Sequence, residues 1–266
     1  MELTYLKGHG TENDFVLLPD LDGTLALTPG LVARLCDRRS GLGGDGVLRV
    51  VPVELEPEAA RFVGDADWFM DYRNADGSVA EMCGNGVRVY ARYLVDAGIA
   101  PLGTLVLATR GGVKEVVVDD DAVTVDMGLA VVGDPVLVDG VVATHVDMGN
   151  PHAVVHATPP AVLDPDRKDL NVEYVEEVGP AHLRMRVHER GVGETRSCGT
   201  GACAAVVAHV LRTQEPRGTT YDVDVPGGRL QVTWREDGHV VLSGPAVILA
   251  AGSFSPTWLD AALVTA

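Results

Sequence analysis

The sequence predicts an α/β fold of two pseudo-symmetric halves, each a sheet packed around a central helix. Cys83 and Cys198 each open a Cys-Gly-x-Gly segment that runs into a stretch with helical character. A polar side chain lies nine residues before each cysteine, Asn74 in the first half and Glu189 in the second. The second helix, from Ala202 onward, is apolar nearly all round, so it must be buried inside a sheet. These repeats indicate a duplication, with two halves facing each other across a cleft.

The sequence of the first half predicts two helices among several strands. Thr28 is a possible N-cap, and the apolar face that follows indicates a helix to Arg39. After the first cysteine, apolar residues recur at i, i+3, i+4 and i+7 from Val87, and Gly98 is suited to end that helix. Residues 54–67 are expected to form an acidic surface excursion. Strands are expected near 3–7, 13–18, 47–51, 68–73, 104–109, 113–118 and 122–127.

The sequence of the second half predicts a similar order of strands followed by one helix. That helix is expected from Ala202 to about Leu211, and His209 alone interrupts its apolar surface. Strands are expected near 136–138, 141–148, 153–156, 172–178 and 183–188.

Composition restricts the class of partner. The chain carries 38 acidic and 21 basic residues, a formal net charge of -17, which argues against nucleic acid or an anionic membrane surface. Hydrophobic residues make up 46%, a normal share for a soluble globular protein. The N-terminal residues lack the pattern of a signal peptide, and no apolar run is long enough to span a bilayer.

The cysteines and lysines point away from metal and pyridoxal chemistry. Four cysteines occur without metal-ligand spacing, so reactive or packed free thiols in a reducing cytoplasm are expected. We expect no metal and no cofactor. The three lysines, in contexts that do not suggest a Schiff base, are Lys7, Lys114 and Lys168.

Each reactive cysteine candidate is expected at the positive end of a helix. That position favours the thiolate and leaves free backbone N–H groups that can hold an anion. Two such units suggest a site with a sulfur on either side of a bound carboxylate. Cys36 and Cys203 lack this frame and are expected to be inert packing residues.

The motifs in their order resemble the diaminopimelate epimerases nearly end to end. The resemblance rests on seven matching segments, which are Gly10–Phe15, Tyr72–Ser78, Met82–Gly86, Met148–His152, Glu189–Ala202, Val225–Gly228 and Ser243–Pro245. It implies two halves that are mostly antiparallel sheets curled around a helix, with the first comprising 1–125 plus 248–266 and the second 126–247. It also implies a homodimer, although Ala250 stands where the family carries a tyrosine that supports dimer packing. Gly46 stands where some relatives carry a substrate-contacting glutamine.

The resemblance further implies inversion at one α-carbon of LL-2,6-diaminopimelate to give the meso form. Cys83 and Cys198 would remove and deliver the proton on opposite faces, with Glu189 receiving the ammonium and His152 poising a thiol. Arg190 is suited to clamp the distant carboxylate. The other residues expected to bind substrate are Asn13, Asn74, Gly84, Asn85, Asn150, Asn171, Gly199 and Thr200.

Two alternative functions remain open from the residues. A proline or hydroxyproline racemase resembles this chain in using two cysteines, but it carries histidine where Asn85 stands and lacks the Glu189–Arg190 pair. A non-catalytic redox protein would instead switch Cys83 and Cys198 between dithiol and disulfide. Exchange of a substrate α-proton by the reduced protein distinguishes an epimerase from such a switch.

Overall fold

The structure, a computed structural model, describes residues 3–264. The described residues divide into two compact units, the first comprising 3–10, 14–123 and 246–264 and the second 11–13 and 124–245. Both are sheet-dominated with few helices, which confirms the predicted mixed α/β class. No helix among the described residues is long and apolar enough to cross a membrane.

Strands alternate with a small number of helices along the chain. The helices are α1 (Pro29–Cys36), α2 (Gly84–Asp96), α3 (Gly199–Thr213) and α4 (Pro256–Val264). The first strands are β1 (Thr4–Gly10), β2 (Asn13–Pro19), β3 (Gly46–Pro52), β4 (Trp68–Asn74), β5 (Gly103–Thr109), β6 (Gly112–Val118), β7 (Val123–Leu129), β8 (Val131–Val132) and β9 (Val136–Val138). The others are β10 (Val141–Asp147), β11 (Pro151–His156), β12 (Asn171–Gly179), β13 (His182–Glu189), β14 (Gly193–Thr195), β15 (Thr220–Val225), β16 (Gly228–Trp234), β17 (His239–Gly244) and β18 (Val247–Ser253).

The two units share one pattern of strand pairing. In the first, β2 and β3 are parallel, β3 and β4 antiparallel, β4 and β5 parallel, and β5 and β6 antiparallel. In the second, the same alternation runs through β11, β12, β13, β15 and β16. A parallel pair needs a crossover connection, and the crossover contains α2 between β4 and β5 and α3 between β13 and β15. The duplication is therefore present in the topology.

Helix α2 is the central helix of the first unit. Its predicted apolar stripe is confirmed, since Val87, Tyr90 and Leu94 are fully buried, and the helix packs against strands of the same unit. Gly98 lies just beyond its end with φ of 68°, a left-handed conformation that glycine adopts without strain.

Helix α3 is the central helix of the second unit. Every residue from Gly199 to Val210 is buried, and the helix contacts β10, β11, β12, β13, β16 and β17. The predicted start at Ala202 is three residues late. Glycine and threonine are poor helix formers, but here the cap at Cys198 and burial of the first turn outweigh that propensity.

The predicted end of the first helix needs correction. The helix α1 does begin after the Thr28 cap, whose Oγ1 accepts from Leu31 N at 3.2 Å, but it ends at Cys36 and not at Arg39. There Asp37 turns to an extended conformation and its carboxylate accepts backbone hydrogen bonds from the turn that follows.

The predicted surface excursion at 54–67 is only partly on the surface. Two short 3₁₀ helices, Val53–Leu55 and Pro57–Phe62, lie within it. Ala59 and Phe62 are buried against the apolar side chains of β3, β4 and β5, so the segment closes a small hydrophobic cluster.

Candidate active site

Both candidate cysteines are the N-cap residues of the central helices. Cys83 is extended (φ -140°) and its Sγ accepts from Gly86 N at 3.4 Å. Cys198 is extended (φ -128°) and its Sγ accepts from Gly201 N at 3.4 Å. The first backbone N–H groups of such helices have no intrahelical partner, so each sulfur lies beside donors that suit an anion.

The Cys198 sulfur lies in an acidic, desolvated environment. The side chain is 6% exposed. Burial raises the pKa of this thiol well above its usual value, and the carboxylates of Glu189 and Glu173 raise the pKa further, while hydrogen bonds with Thr200 and Gly201 oppose the shift. The helix N-terminus favours a thiolate on its own, but here burial and two carboxylates outweigh it. These surroundings favour the thiol form of Cys198.

The Cys83 sulfur has different surroundings. The side chain is half-buried, and the backbone of Gly84 and Asn85 behind it is buried in the first turn of α2. A methyl group placed at Gly86 would meet Leu48 Cδ2 at 3.2 Å and Cys83 Sγ at 3.7 Å. Next to this glycine the first unit thus has the apolar side chain of Leu48. Next to the corresponding glycine of α3, the second unit has an acidic side chain.

Glu189 stands at the end of β13, close to Cys198. Its carboxylate accepts a short hydrogen bond from Thr195 Oγ1. Burial raises the pKa of this carboxyl and the charge of Glu173 raises it further, whereas hydrogen bonds with Thr195 and Cys198 and the charge of His152 lower it. A carboxyl of this kind can exchange a proton with the thiol more readily than a solvated glutamate.

His152 is completely buried and bonded at both ring nitrogens. Its Nδ1 lies 2.7 Å from Glu173 Oε1, and its Nε2 lies 3.1 Å from Asn150 Oδ1. The structure thus links His152 to another predicted substrate-binding residue. The structure also links His152 to Glu173, a residue that the sequence analysis did not single out.

A local signal for Glu173 does exist in the sequence. Residues 171–175 read Asn-Val-Glu-Tyr-Val, and all five are buried. An acid among these buried residues is costly unless it is paired. Its partner, however, comes from β11, and that pairing cannot be read from local spacing.

The remaining asparagines occupy different environments. Asn171 is buried, where its Nδ2 donates to Pro151 O and its Oδ1 accepts from Arg190 N, each at 3.0 Å. It therefore positions the backbone of Arg190, whose side chain is exposed. Asn74 donates through Nδ2 to Ser78 Oγ at 3.0 Å within a turn. Asn13 is half-buried at the start of β2.

The predicted residues fall into two sets, one in each unit. The first unit contains Cys83, Gly84, Asn85 and Asn74. The second unit contains Asn13, Asn150, His152, Asn171, Glu189, Arg190, Cys198, Gly199 and Thr200. Among residues 3–264, no group of three or more His, Cys, Asp or Glu side chains is arranged to hold a metal ion.

The chain is similar to known proteins along nearly its whole length. The family model described as diaminopimelate epimerase matches residues 5–133 and 164–249. The diaminopimelate epimerase of Streptomyces coelicolor is 53% identical over 98% of each chain. That of Thermobifida fusca is 49% identical over 94% of this chain and 97% of the relative.

Solved structures show the same fold at low sequence identity. A phenazine biosynthesis protein of the PhzF family from Bacillus anthracis matches with a TM-score of 0.72 at 14% identity, over 96% of this chain and 99% of that one. A hydroxyproline epimerase from Agrobacterium vitis matches with a TM-score of 0.69 at 15% identity, over 96% and 94%. At such identities the likeness concerns the fold alone.

Proposed function

Because the chain belongs to the diaminopimelate epimerase family, we propose that it converts LL-2,6-diaminopimelate into the meso isomer with two cysteine thiols and no cofactor. The observation that carries this proposal is the pair of cap cysteines, Cys83 on α2 and Cys198 on α3, each at the N-terminus of a helix. The reaction serves lysine and peptidoglycan precursor synthesis. We place it in the cytoplasm, where reactive thiols stay reduced.

The α-carbon of an amino acid is a very weak acid, so inversion needs a base on one face and an acid on the other. A thiolate removes the α-proton, and a thiol on the opposite face delivers another proton to the same carbon. Because burial and two carboxylates favour the thiol form of Cys198, we assign Cys198 the acid role and Cys83 the base role for the first turnover. The two sulfurs exchange roles for the reverse reaction.

Negative charge develops on the substrate carboxylate as the proton leaves. We propose that backbone N–H groups at Gly84, Asn85, Gly199 and Thr200 hold that carboxylate, because they belong to the N-terminal turns of α2 and α3, the end of a helix that suits an anion. One well-placed donor is worth about 3 kcal/mol in a transition state. Several of them would account for a large part of the stabilisation that pyridoxal supplies in other enzymes.

The other polar residues bind the two ends of the substrate. We propose that Glu189 receives the ammonium at the reacting centre and that the exposed Arg190 binds the distant carboxylate bidentately. Arg190 is held for this through its backbone N–H, which donates to Asn171 Oδ1. Asn13, Asn74 and Asn150 offer amide groups to the remaining amine and carboxylate without adding charge.

We also propose a homodimer, as implied by the family. Its support is β18, where Val247 and Leu249 are 40% and 59% exposed and Ala250 is exposed as well. An exposed apolar strand of this kind is typical of a surface that another chain covers. Sedimentation equilibrium measures the mass directly, and a species at the monomer mass would reject the proposal.

Proton NMR of the reduced protein with LL-diaminopimelate in heavy water tests the reaction. We expect loss of the α-proton signal together with appearance of the meso isomer, because the proton delivered comes from a thiol that has exchanged with solvent. Exchange with proline or hydroxyproline in place of diaminopimelate would favour the racemase. Absence of exchange with all of these substrates would favour the redox protein.

A further inference from the structure

The second unit buries a glutamate–histidine pair beside its central helix. The side chains of Glu173 and His152 are both 0% exposed, and Glu173 Oε1 lies 2.7 Å from His152 Nδ1. The other oxygen, Glu173 Oε2, is buried with no hydrogen-bond partner among the residues that the structure describes. A buried carboxylate oxygen without a partner destabilises a fold. Its presence therefore calls for an explanation other than stability.

Glu173 lies against the first turn of α3, next to the Cys198 sulfur. A Cβ atom built at Gly201 would be 2.7 Å from Glu173 Oε1 and 3.3 Å from Cys198 Sγ. Both distances are measured from the same Cβ position. The Glu173 oxygen and the Cys198 sulfur are therefore separated by no more than the sum of the two distances. The charge of Glu173 contributes to the raised pKa of the Cys198 thiol, after burial and Glu189.

The first unit supplies an internal comparison for this position. Glu173 pairs with the residue two before Glu189 on the next strand. Leu48 pairs with the residue two before Asn74 on the next strand. Asn74 and Glu189 each lie nine residues before a cap cysteine, so Leu48 and Glu173 are equivalent positions. Accordingly, Leu48 is the side chain that a Cβ at Gly86 would meet.

The partner of Glu173 has an apolar counterpart as well. His152 on β11 pairs with Asn171, two residues before Glu173. Phe15 on β2 pairs with Gly46, two residues before Leu48. Phe15 and Leu48 are both 0% exposed. The same architecture therefore fills these two positions with a phenylalanine and a leucine in the first unit, so the fold itself does not require a glutamate–histidine pair there.

We propose that Glu173 is a positioning residue for the candidate reaction centre, holding the His152 ring through Nδ1 and keeping the proton on Cys198 through its buried carboxylate. This inference rests on the proposed function, because Cys198 and His152 matter only if the thiols transfer protons. With Glu173 Oε1 as the acceptor, His152 Nδ1 carries the hydrogen of this bond. The bond thereby sets which hydrogen bonds Nε2 can make with Asn150, whose Oδ1 lies 3.1 Å away.

The pair also makes the two thiols unequal. The charged groups that face Cys198 are Glu189 from β13 and Glu173 from β12, with His152 from β11 behind Glu173. Two thiols in equal environments would not differ in which of them holds the proton. The buried carboxylate of Glu173, at the position where the first unit has Leu48, favours the state that the reaction needs, in which one sulfur is a thiol.

Titration of the cysteine Cβ carbons by NMR tests this proposal without requiring turnover. The protein is labelled with [3-¹³C]cysteine, and the Cys198 resonance is assigned by its loss in Cys198→Ser. In Glu173→Gln, which keeps the size of the side chain but removes its charge, we expect Cys198 to ionise about one pH unit lower, a tenfold larger thiolate fraction at a given pH. A folded Glu173→Gln protein whose Cys198 titrates as in the wild type would overturn the proposal.

Glu177→Gln is the matched control. Glu177 lies on the same strand but is exposed, so removing its charge should leave the Cys198 titration unchanged. If Glu173→Gln fails to fold, the double variant His152→Phe, Glu173→Leu places the pair of the first unit in the second. It should again lower the titration midpoint of Cys198, and an unchanged midpoint would contradict the proposal.

The pH profile of epimerisation separates positioning from a structural role. If Glu173 keeps the proton on Cys198, the alkaline limb of kcat/KM should move to lower pH in Glu173→Gln and stay in place in Glu177→Gln. A uniform drop in rate with an unmoved profile would indicate a structural role and would contradict the proposal. If wild-type protein shows no epimerisation while the Cys198 shift occurs, the proposed function fails and the positioning of the thiol proton stands.

Discussion

At the scale of the residue, the surroundings of each thiol decide its protonation. Cys198 is enclosed and has two carboxylates beside it, which hold its pKa well above the usual range. Burial is the largest cause of the raised pKa of Cys36, where desolvation brings the pKa of the thiol to about 12. A cap position therefore does not by itself make a cysteine a thiolate. The number of charges and the amount of solvent near the sulfur determine the outcome.

The half-buried side chain of His156 leads to a prediction about the stability of the fold in acid. Burial, together with the charges of Arg212 and His209, lowers the pKa of His156 to about 4, and its Nε2 has no partner within residues 3–264. The unfolded chain takes up this proton near pH ~6.5. The contribution of His156 to stability is thus present above that pH and is lost as the pH falls towards 4.

We expect His156→Phe to lose less stability in acid than the wild type. The free energy of unfolding of the wild type should fall between pH 6.5 and 4 by at most about 1.4 kcal/mol per pH unit from this one group. Urea unfolding at several pH values measures both slopes. Parallel slopes for the two proteins would show that His156 does not titrate as described.

At the scale of the element, the first turns of α2 and α3 provide a matched pair of glycines. Alanine in place of glycine stabilises a helix by about 1 kcal/mol. A Cβ at Gly86 meets the flexible end of Leu48 at 3.2 Å, whereas a Cβ at Gly201 meets Glu173 Oε1 at 2.7 Å. We expect Gly86→Ala to remain within about 1 kcal/mol of wild type and Gly201→Ala to lose about 1–2 kcal/mol, because a buried carboxylate must move.

Urea unfolding measures both glycine variants. The cause is checked in a Glu173→Ala background, where the oxygen that clashes is gone and the extra cost of Gly201→Ala should largely disappear. Equal costs for the two glycine variants, or an undiminished cost in that background, would mean that the first turns of the helices do not differ as the structure describes.

The helices and most strands were predictable because their signals are local. The stripe from Val87, the Thr28 cap and the Gly98 stop each act within a few residues, and all three are present in the structure. The start of α3 at Gly199 was not predictable from propensity, because burial of the turn decides it. The burial of Phe62 depends on contacts with β3, β4 and β5, which spacing along the chain does not encode.

The candidate site was predictable where it follows repeated motifs. The cap cysteines follow directly from the Cys-Gly-x-Gly frames, and Asn150 and His152 from the Gly-Asn-Pro-His segment. Glu173 was not found, since its significance depends on the parallel pairing of β11 with β12 and on its contact with α3. Comparison of equivalent positions in the two halves reveals it only once the strand register is known.

At the scale of the whole molecule, the duplication supplies one cap cysteine per unit. Each unit repeats the same strand order, crossover helix and cysteine cap. A reaction that needs a base and an acid is well matched to such a chain, because one motif used twice provides both groups. The polar residues beside α3 and the apolar residues beside α2 then differentiate two otherwise similar halves.

The measurement that tests the two-thiol account most directly uses Cys83→Ser and Cys198→Ser with each diaminopimelate isomer separately in heavy water. With one sulfur left, a proton can be removed and returned on one face only. We therefore predict that neither variant interconverts the isomers, and that each variant exchanges the α-proton of a different isomer, followed by proton NMR. Epimerisation at the wild-type rate by either variant, or exchange of the same isomer by both, would contradict the account.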